Sequence, residues 1–133
     1  MRRAIRTIAT IAAAGTLAAV GAVAASGTAS AATSCYGGAV NLQWETVYQS
    51  TTGPYTTTSR CVDINLRSTT AYGVQACVIF LKNNPNENCN YITHVGSSWK
   101  TIATDVLDGT KFKVWVEAEG NDPGPFSYAK LAF

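Results

Sequence analysis

The chain has 133 residues, among them ten lysines and arginines, eight aspartates and glutamates, one histidine and four cysteines. Three of the ten cations lie in the first six residues, so residues 32–133 carry seven cations and eight acids, a net charge of 7 − 8 = −1. This even balance excludes the strongly basic surface expected of a protein that binds nucleic acid or an anionic membrane.

The first 31 residues predict a secretory signal peptide. A positive head is followed by an apolar run over residues 8–23, and small residues precede the expected cleavage point at Ala31. A membrane anchor is the alternative, but the run is shorter than the roughly 20 apolar residues that a membrane span needs. We therefore expect cleavage after Ala31, which leaves one extracellular domain over residues 32–133 with no membrane attachment.

The cysteine count predicts two disulfide bonds. An even number of cysteines in a small exported chain favours oxidation, and here the four are Cys35, Cys61, Cys77 and Cys89. No C-x2-C spacing is present and there is a single histidine, so no metal site is expected. Three pairings are possible. The turn sequence Asn83–Asn86 sets Cys77 opposite Cys89 and so favours Cys77–Cys89 with Cys35–Cys61.

Strand signals dominate the chain after residue 32, and no segment there has a convincing helical period. β-Branched and aromatic residues are interrupted by Gly, Asn, Asp and Pro clusters. The pattern predicts strands at residues 39–48, 56–67, 73–82, 88–95, 99–106, 111–119 and 127–133. Short strands separated by turns indicate an all-β fold of about seven antiparallel strands in an immunoglobulin-like sandwich.

Alternation along these strands predicts which side chains face the core. The third strand, residues 73–82, is apolar on both faces, so we expect it to be central in its sheet. The inward residues predicted in the first two strands are Val40, Leu42, Trp44, Val62, Ile64 and Leu66.

Asp108-Gly109 predicts a hairpin between the strands at 99–106 and 111–119. In the resulting register Ile102 lies opposite Trp115, on the polar face of the second strand. One interpretation is a cross-strand pair that covers the outside of the sheet. The other is that Ile102 and Trp115, together with Tyr72, form a contact patch for a partner protein, because aromatic residues are enriched at such surfaces.

No catalytic residues are predicted. With one histidine, no G-x-S-x-G sequence and no free thiol, the residues for nucleophilic catalysis are lacking. Glu117 and Glu119 lie about 7 Å apart on one strand face, which suits a glycosidase pair by distance. Lysines nearby favour a solvated, salt-bridged face instead. We expect a protein that is not an enzyme and needs no cofactor or metal.

The mature N-terminus, ATSCYGG, is a candidate for surface recognition. A short tail of this kind is most often disordered. A functional tail would insert into a groove of a partner or add to the edge of a sheet. The candidate partner-binding residues here are Ala32, Thr33, Ser34 and Tyr36.

A pattern over residues 35–119 resembles a group of small exported actinobacterial β-proteins, and the leader is similar to those of Streptomyces. The pattern consists of Cys61-x-Asp63-Ile64, Cys77, Cys89, Trp99-x2-Ile102-Ala103 and Asp108-Gly109-Thr110-x-Phe112. It is similar to the adaptor subunit of the antibacterial umbrella toxin particles. That resemblance implies no catalysis and two structural disulfides. It also implies partner proteins, namely a lectin subunit and a large repeat-bearing toxin polypeptide, with the N-terminal tail docked in a cleft of the lectin.

Two further functions remain open from the residues. One is a carbohydrate- or cell-wall-binding module in which Trp115, Tyr72 or Tyr55 stacks on sugar rings. The other is a hydrolase inhibitor that acts through a loop such as Asn83–Asn88.

Overall fold

The computed structural model describes residues 33–120 and 124–133, so the predicted signal peptide and Ala32 lie outside the described residues. The described chain consists of strands and one short 3-10 turn, Tyr36–Gly38. In chain order the strands are β1 (Val40–Glu45), β2 (Ser50–Thr56), β3 (Ile64–Ser68), β4 (Val74–Phe80), β5 (Thr93–Val95), β6 (Lys100–Ala103), β7 (Lys111–Ala118) and β8 (Phe126–Ala132).

The strands form two four-stranded antiparallel sheets that pack face to face. Sheet A has the order β1-β8-β3-β6 and sheet B the order β2-β7-β4-β5. The pairing is nested, since the first strand pairs with the last, the second with the seventh, the third with the sixth and the fourth with the fifth. The predicted all-β sandwich is confirmed, with eight strands in place of seven. Its strand order is that of a jelly roll and differs from the immunoglobulin order.

Alternating side chains fill the space between the sheets. In β1, Leu42 and Trp44 are buried while Asn41, Gln43 and Glu45 are exposed, as predicted. In β7, Phe112, Val114 and Val116 are fully buried. Burying each such side chain is worth about 1.5–3 kcal/mol. β4 lies between β7 and β5, which confirms the prediction of a central strand.

β2 was not predicted, and its sequence explains why. Gly53-Pro54 is typical of a turn, and proline has no backbone N–H to donate to a neighbouring strand. β2 tolerates the proline because it is an edge strand whose register with β7 shifts between Thr52 and Tyr55. The predicted strand at 56–67 begins only at Ile64. Val62, predicted to point inward, is therefore 69% exposed.

The predicted hairpin between β6 and β7 is wrong. The turn exists, with Gly109 at φ 78°, but it connects the two sheets: β6 pairs with β3, and β7 with β2 and β4. A hairpin within one sheet would leave Ile102 outside and set Asp105 opposite Phe112 in the core. Crossing to the other sheet instead buries Ile102 and Phe112 completely. Burial of apolar surface thus outweighs the local turn signal.

Both predicted disulfides are confirmed. Cys35 bonds to Cys61 and Cys77 to Cys89, and the described residues contain no free cysteine. The predicted placement of Cys89 on a strand opposite Cys77 is wrong, because β5 begins only at Thr93. The loop between β4 and β5 brings Cys89 to Cys77 instead. Two disulfides in a small β domain fit an extracellular protein.

Candidate functional site

The N-terminal segment is fixed to the sandwich from Ser34 onward. The Ser34 side-chain oxygen accepts the backbone N–H of Gly37 at 3.1 Å, and its carbonyl accepts that of Gly38 at 3.0 Å. These bonds close the 3-10 turn, and the Cys35–Cys61 disulfide ties it to the loop before β3. Thr33 and Ser34 are both exposed. Ala32 lies outside the described residues, so its predicted role is not tested.

Tyr36 is held beside the outer face of sheet A. Its ring lies 4.7 Å from that of Trp99, centroid to centroid, with 31° between the ring planes. Such a pair is worth about 0.5–1.5 kcal/mol beyond the area it buries. Half of Tyr36, 51%, remains exposed. Of the predicted N-terminal residues, Tyr36 thus combines a fixed position with a large accessible surface.

Two aliphatic residues project from the same end of the sandwich. Val62 precedes β3 and Leu107 lies in the loop between β6 and β7, and they are 69% and 80% exposed. They line one cleft, together with Cys61 and Val106. The backbone N–H of Val106 donates to the carbonyl oxygen of Val62 at 2.9 Å, so the two loops are joined. We call this surface the Cys61 end; it consists of the segment Thr33–Tyr36, Val62 and Leu107.

Thr57 holds the Leu107 loop in place. Its buried hydroxyl donates to the carbonyl oxygen of Leu107 at 2.7 Å and accepts the backbone N–H of Thr110 at 2.9 Å. The Thr57 backbone adds two bonds, to Gly109 N–H and to the Thr110 carbonyl. A loop fixed in this way loses little conformational entropy when a partner binds. The exposed Leu107 is therefore presented in a preorganised conformation.

Charged residues lie next to the two aliphatic side chains. Asp63 follows Val62, Asp108 follows Leu107, and an Asp63 oxygen accepts the backbone N–H of Asp105 at 2.9 Å. None of these three aspartates forms an ion pair within the described part of the chain. Lys82 and Lys111 line a cleft together with Leu107 and Asp108, so the apolar centre of the Cys61 end has charges of both signs around it. A complementary surface would be an apolar socket with a mixed charged rim.

The predicted patch of Ile102 and Trp115 does not exist. Ile102 is fully buried in sheet A, so its assignment to a contact surface is wrong. Trp115 does lie on the outer face of sheet B, as its position in the alternation predicted, but its cross-strand neighbours are Thr51 and Cys77. Its indole N–H donates to the side chain of Gln49 at 2.9 Å. Trp115 remains partly exposed, and it does not belong to the Cys61 end.

The residues named for the other functions are differently placed. Tyr72 is 44% exposed, whereas Tyr55 packs on Phe112 and Phe133 and is half-buried. In the loop Asn83–Asn88, the Asn84 side chain donates to the Asn88 carbonyl oxygen and accepts the Asn88 backbone N–H. An ion pair joins the same loop to β7.

A ring nitrogen of His94 and a carboxylate oxygen of Glu119 form a hydrogen bond on the outer face of sheet B. The histidine side chain is 69% exposed, so the pair is screened by water. In the two described ranges, no group of three or more His, Cys, Asp or Glu residues could hold a metal ion.

Sequence reasoning did not identify Val62 and Leu107. Val62 continues the alternation of Ile64 and Leu66, so it was predicted to be in the core. Leu107 directly precedes the Asp108-Gly109 turn, which was predicted to close a hairpin. The available signal was weak: each is an aliphatic residue directly before an aspartate at the edge of a turn. Both residues are exposed because β3 begins only at Ile64 and β6 ends at Ala103, which leaves Val62 and Leu107 in loops.

Among residues 33–120 and 124–133, no helix has the length and apolar character that crossing a membrane requires. Comparison of the chain with protein-family models, with curated proteins and with solved structures finds no match.

Proposed function

We propose that this protein is a secreted, non-enzymatic binding subunit that acts as an adaptor between other secreted proteins. The observation that carries the proposal is the Cys61 end, where Leu107 is 80% exposed yet held by a buried threonine. Exposed apolar groups that are rigidly presented favour binding, since their burial is favourable and little entropy is lost.

The Cys35–Cys61 disulfide links the N-terminal segment to this surface. Because Cys61 immediately precedes Val62, a partner that contacts Thr33 and Tyr36 can also reach the apolar centre. The two elements, linked by the disulfide, together present aromatic, aliphatic and charged groups. Tyrosine at the centre of a contact surface commonly contributes much of the binding energy.

The partners we propose are a lectin subunit and a large repeat-bearing toxin polypeptide in an antibacterial, umbrella-type complex. Their identity rests on the resemblance of residues 35–119 to the adaptor subunit of such particles. Secretion is supported by the leader sequence and by the two disulfides. A role without catalysis is supported by the oxidation of all four cysteines and by the exposed position of His94.

Affinity purification of the tagged protein from the secretions of its producing organism, followed by mass spectrometry, tests this proposal. We expect wild type to bring a lectin and a repeat-bearing protein with it in fixed ratio. The double variant Val62→Ser/Leu107→Ser should recover at least tenfold less of one partner, because about 1.5–3 kcal/mol of burial is lost per side chain.

Val47→Ser is the matched control, since Val47 is 82% exposed in the β1–β2 loop at the opposite end of the sandwich. It should recover both partners at the wild-type level. Deletion of Ala32 and Thr33 tests the role of the N-terminal segment. Ser34 is kept in this variant because its side chain closes the 3-10 turn. Recovery of wild type as a lone monomer, or undiminished recovery by the Val62/Leu107 variant, would refute the proposal.

A further inference from the structure

A row of polar and aromatic residues crosses the outer face of sheet A. Arg67 on β3 and Asn41 on β1 are both cross-strand neighbours of Lys130 on β8. Tyr128, 43% exposed, lies two residues before Lys130 and therefore on the same face. Trp99 extends the row, since the Arg67 guanidinium lies 5.7 Å from the centroid of its ring. We call these five residues the cationic face.

Within residues 33–120 and 124–133, the two cations of this face have no neutralising partner. Residues directly opposite on adjacent strands have Cβ atoms about 4.5–5.5 Å apart, and like charges there are destabilising. Neither Arg67 nor Lys130 forms an ion pair with a described residue. Glu45 lies opposite Phe126, which is four residues before Lys130 on β8, a separation of about 13 Å at the rise of a strand. Asp63 lies four residues before Arg67, at a similar separation.

The position of Arg67 is fixed although no carboxylate of the described residues pairs with it. Its guanidinium packs over Trp99, whose ring in turn contacts Tyr36. Its Nε is buried and makes no hydrogen bond to a described residue. An arginine held by an aromatic ring keeps its other N–H groups for an external acceptor, and a carboxylate matches its planar geometry with two hydrogen bonds.

We propose that the cationic face binds a carboxylated polysaccharide. Arg67 and Lys130 would bind the carboxylates, Asn41 would bind hydroxyl groups, and Tyr128 would contact a sugar ring. The charge complementarity is local, because residues 32–133 have a net charge of 7 − 8 = −1 while this face carries two adjacent cations. This inference does not depend on the adaptor function, and either can fail without the other.

A sugar polymer fits this face better than an acidic protein segment. On this strand surface an exposed amide and an exposed phenol flank the cations. A carboxylated sugar polymer can contact all of these groups through its carboxylates, hydroxyl groups and rings. The large exposed aliphatic side chains that a protein interface needs lie elsewhere, at Val62 and Leu107. Two cations are also too few for nucleic acid, whose binding commonly involves many more phosphate contacts.

Isothermal titration calorimetry of the disulfide-bonded protein with polygalacturonate tests the inference. The fully methyl-esterified polymer is the matched ligand, since it has the same backbone without the charges. We expect the esterified polymer to bind at least about tenfold more weakly, because hydrogen bonds to charged groups are the strong ones. Affinity for polygalacturonate should also fall as salt is raised.

Arg67→Gln/Lys130→Gln should weaken polygalacturonate binding at least about tenfold, and Tyr128→Ala should weaken it severalfold. Lys82→Gln/Lys111→Gln removes the same charge from two exposed lysines away from this face and should leave the affinity unchanged. Unchanged thermal unfolding verifies that each variant is folded. Absence of polygalacturonate binding, equal binding of the esterified polymer, full affinity in the Arg67/Lys130 or Tyr128 variant, or equally tight binding of poly-L-glutamate would overturn the inference.

Discussion

Replacement of Phe112 by alanine is expected to lower the free energy of unfolding by about 3–5 kcal/mol. Phe112 is fully buried in β7, and its ring contacts Tyr55 and Phe133 at centroid distances of 5.7 and 5.3 Å. Truncation would leave a cavity beside Tyr55 of β2 and Phe133, the residue that follows β8. The free energy of unfolding of a small domain is only about 5–15 kcal/mol, so this loss is a large share of the total stability. Urea unfolding followed by tryptophan fluorescence measures it.

Phe126→Ala is the control for this prediction. Phe126 is 39% exposed at the start of β8, so its truncation removes less buried surface and should cost about 1 kcal/mol or less. Equal losses for the two variants would contradict the position of Phe112 at the centre of the core.

Replacement of Asn90 by alanine should cost about 2–4 kcal/mol, because Asn90 joins the two sheets. Its side-chain oxygen accepts the backbone N–H of Val78 at 2.9 Å in sheet B. Its side-chain amide donates to the carbonyl oxygen of Ile102 at 2.8 Å in sheet A. Alanine would leave both backbone groups without these partners. The free energy of unfolding is again the measured quantity, and hydrogen exchange at the Val78 amide should accelerate.

Asn86→Ala provides the comparison, since Asn86 is an exposed residue of the same loop. It should change stability by less than about 0.5 kcal/mol. If Asn90→Ala changed the free energy of unfolding as little as Asn86→Ala, the two sheets would have to be joined by other contacts.

The faces of the strands could be predicted from the sequence because a period of two residues reports burial directly. Leu42 and Trp44 point inward, and Phe112, Val114 and Val116 do the same. A strand that alternates in this way can bury only one of its faces, since a shift by one residue would expose all of its apolar side chains. The two disulfides were also predictable, because the turn after β4 returns the chain towards Cys77.

The partners of the strands could not be predicted, because alternation says nothing about which strand lies alongside. In a jelly roll most consecutive strands lie in different sheets, and here only β4 and β5 are consecutive and paired. The turn at Asp108-Gly109 therefore resembles a hairpin although it connects sheet A to sheet B. The incorrect pairing of Ile102 with Trp115 follows from that single assumption.

The candidate binding surfaces could be predicted only where they depend on residues that are close together in the sequence. Tyr36 was identified because it is close to a cysteine in a short terminal segment, which is local information. Leu107 depends on Thr57, fifty residues earlier in the chain, for its position. Arg67 and Lys130 become neighbours only through the pairing of β3 with β8. Surfaces assembled from distant strands require the topology before they can be recognised.

The most direct test of binding through the Cys61 end is hydrogen–deuterium exchange of the protein with and without its co-purified partner. Residues 33–36 and 105–108 should gain protection in the complex, while residues 46–49, at the opposite end of the sandwich, should exchange as in the free protein. Protection confined to residues 46–49, with none at Tyr36 or Leu107, would contradict the account.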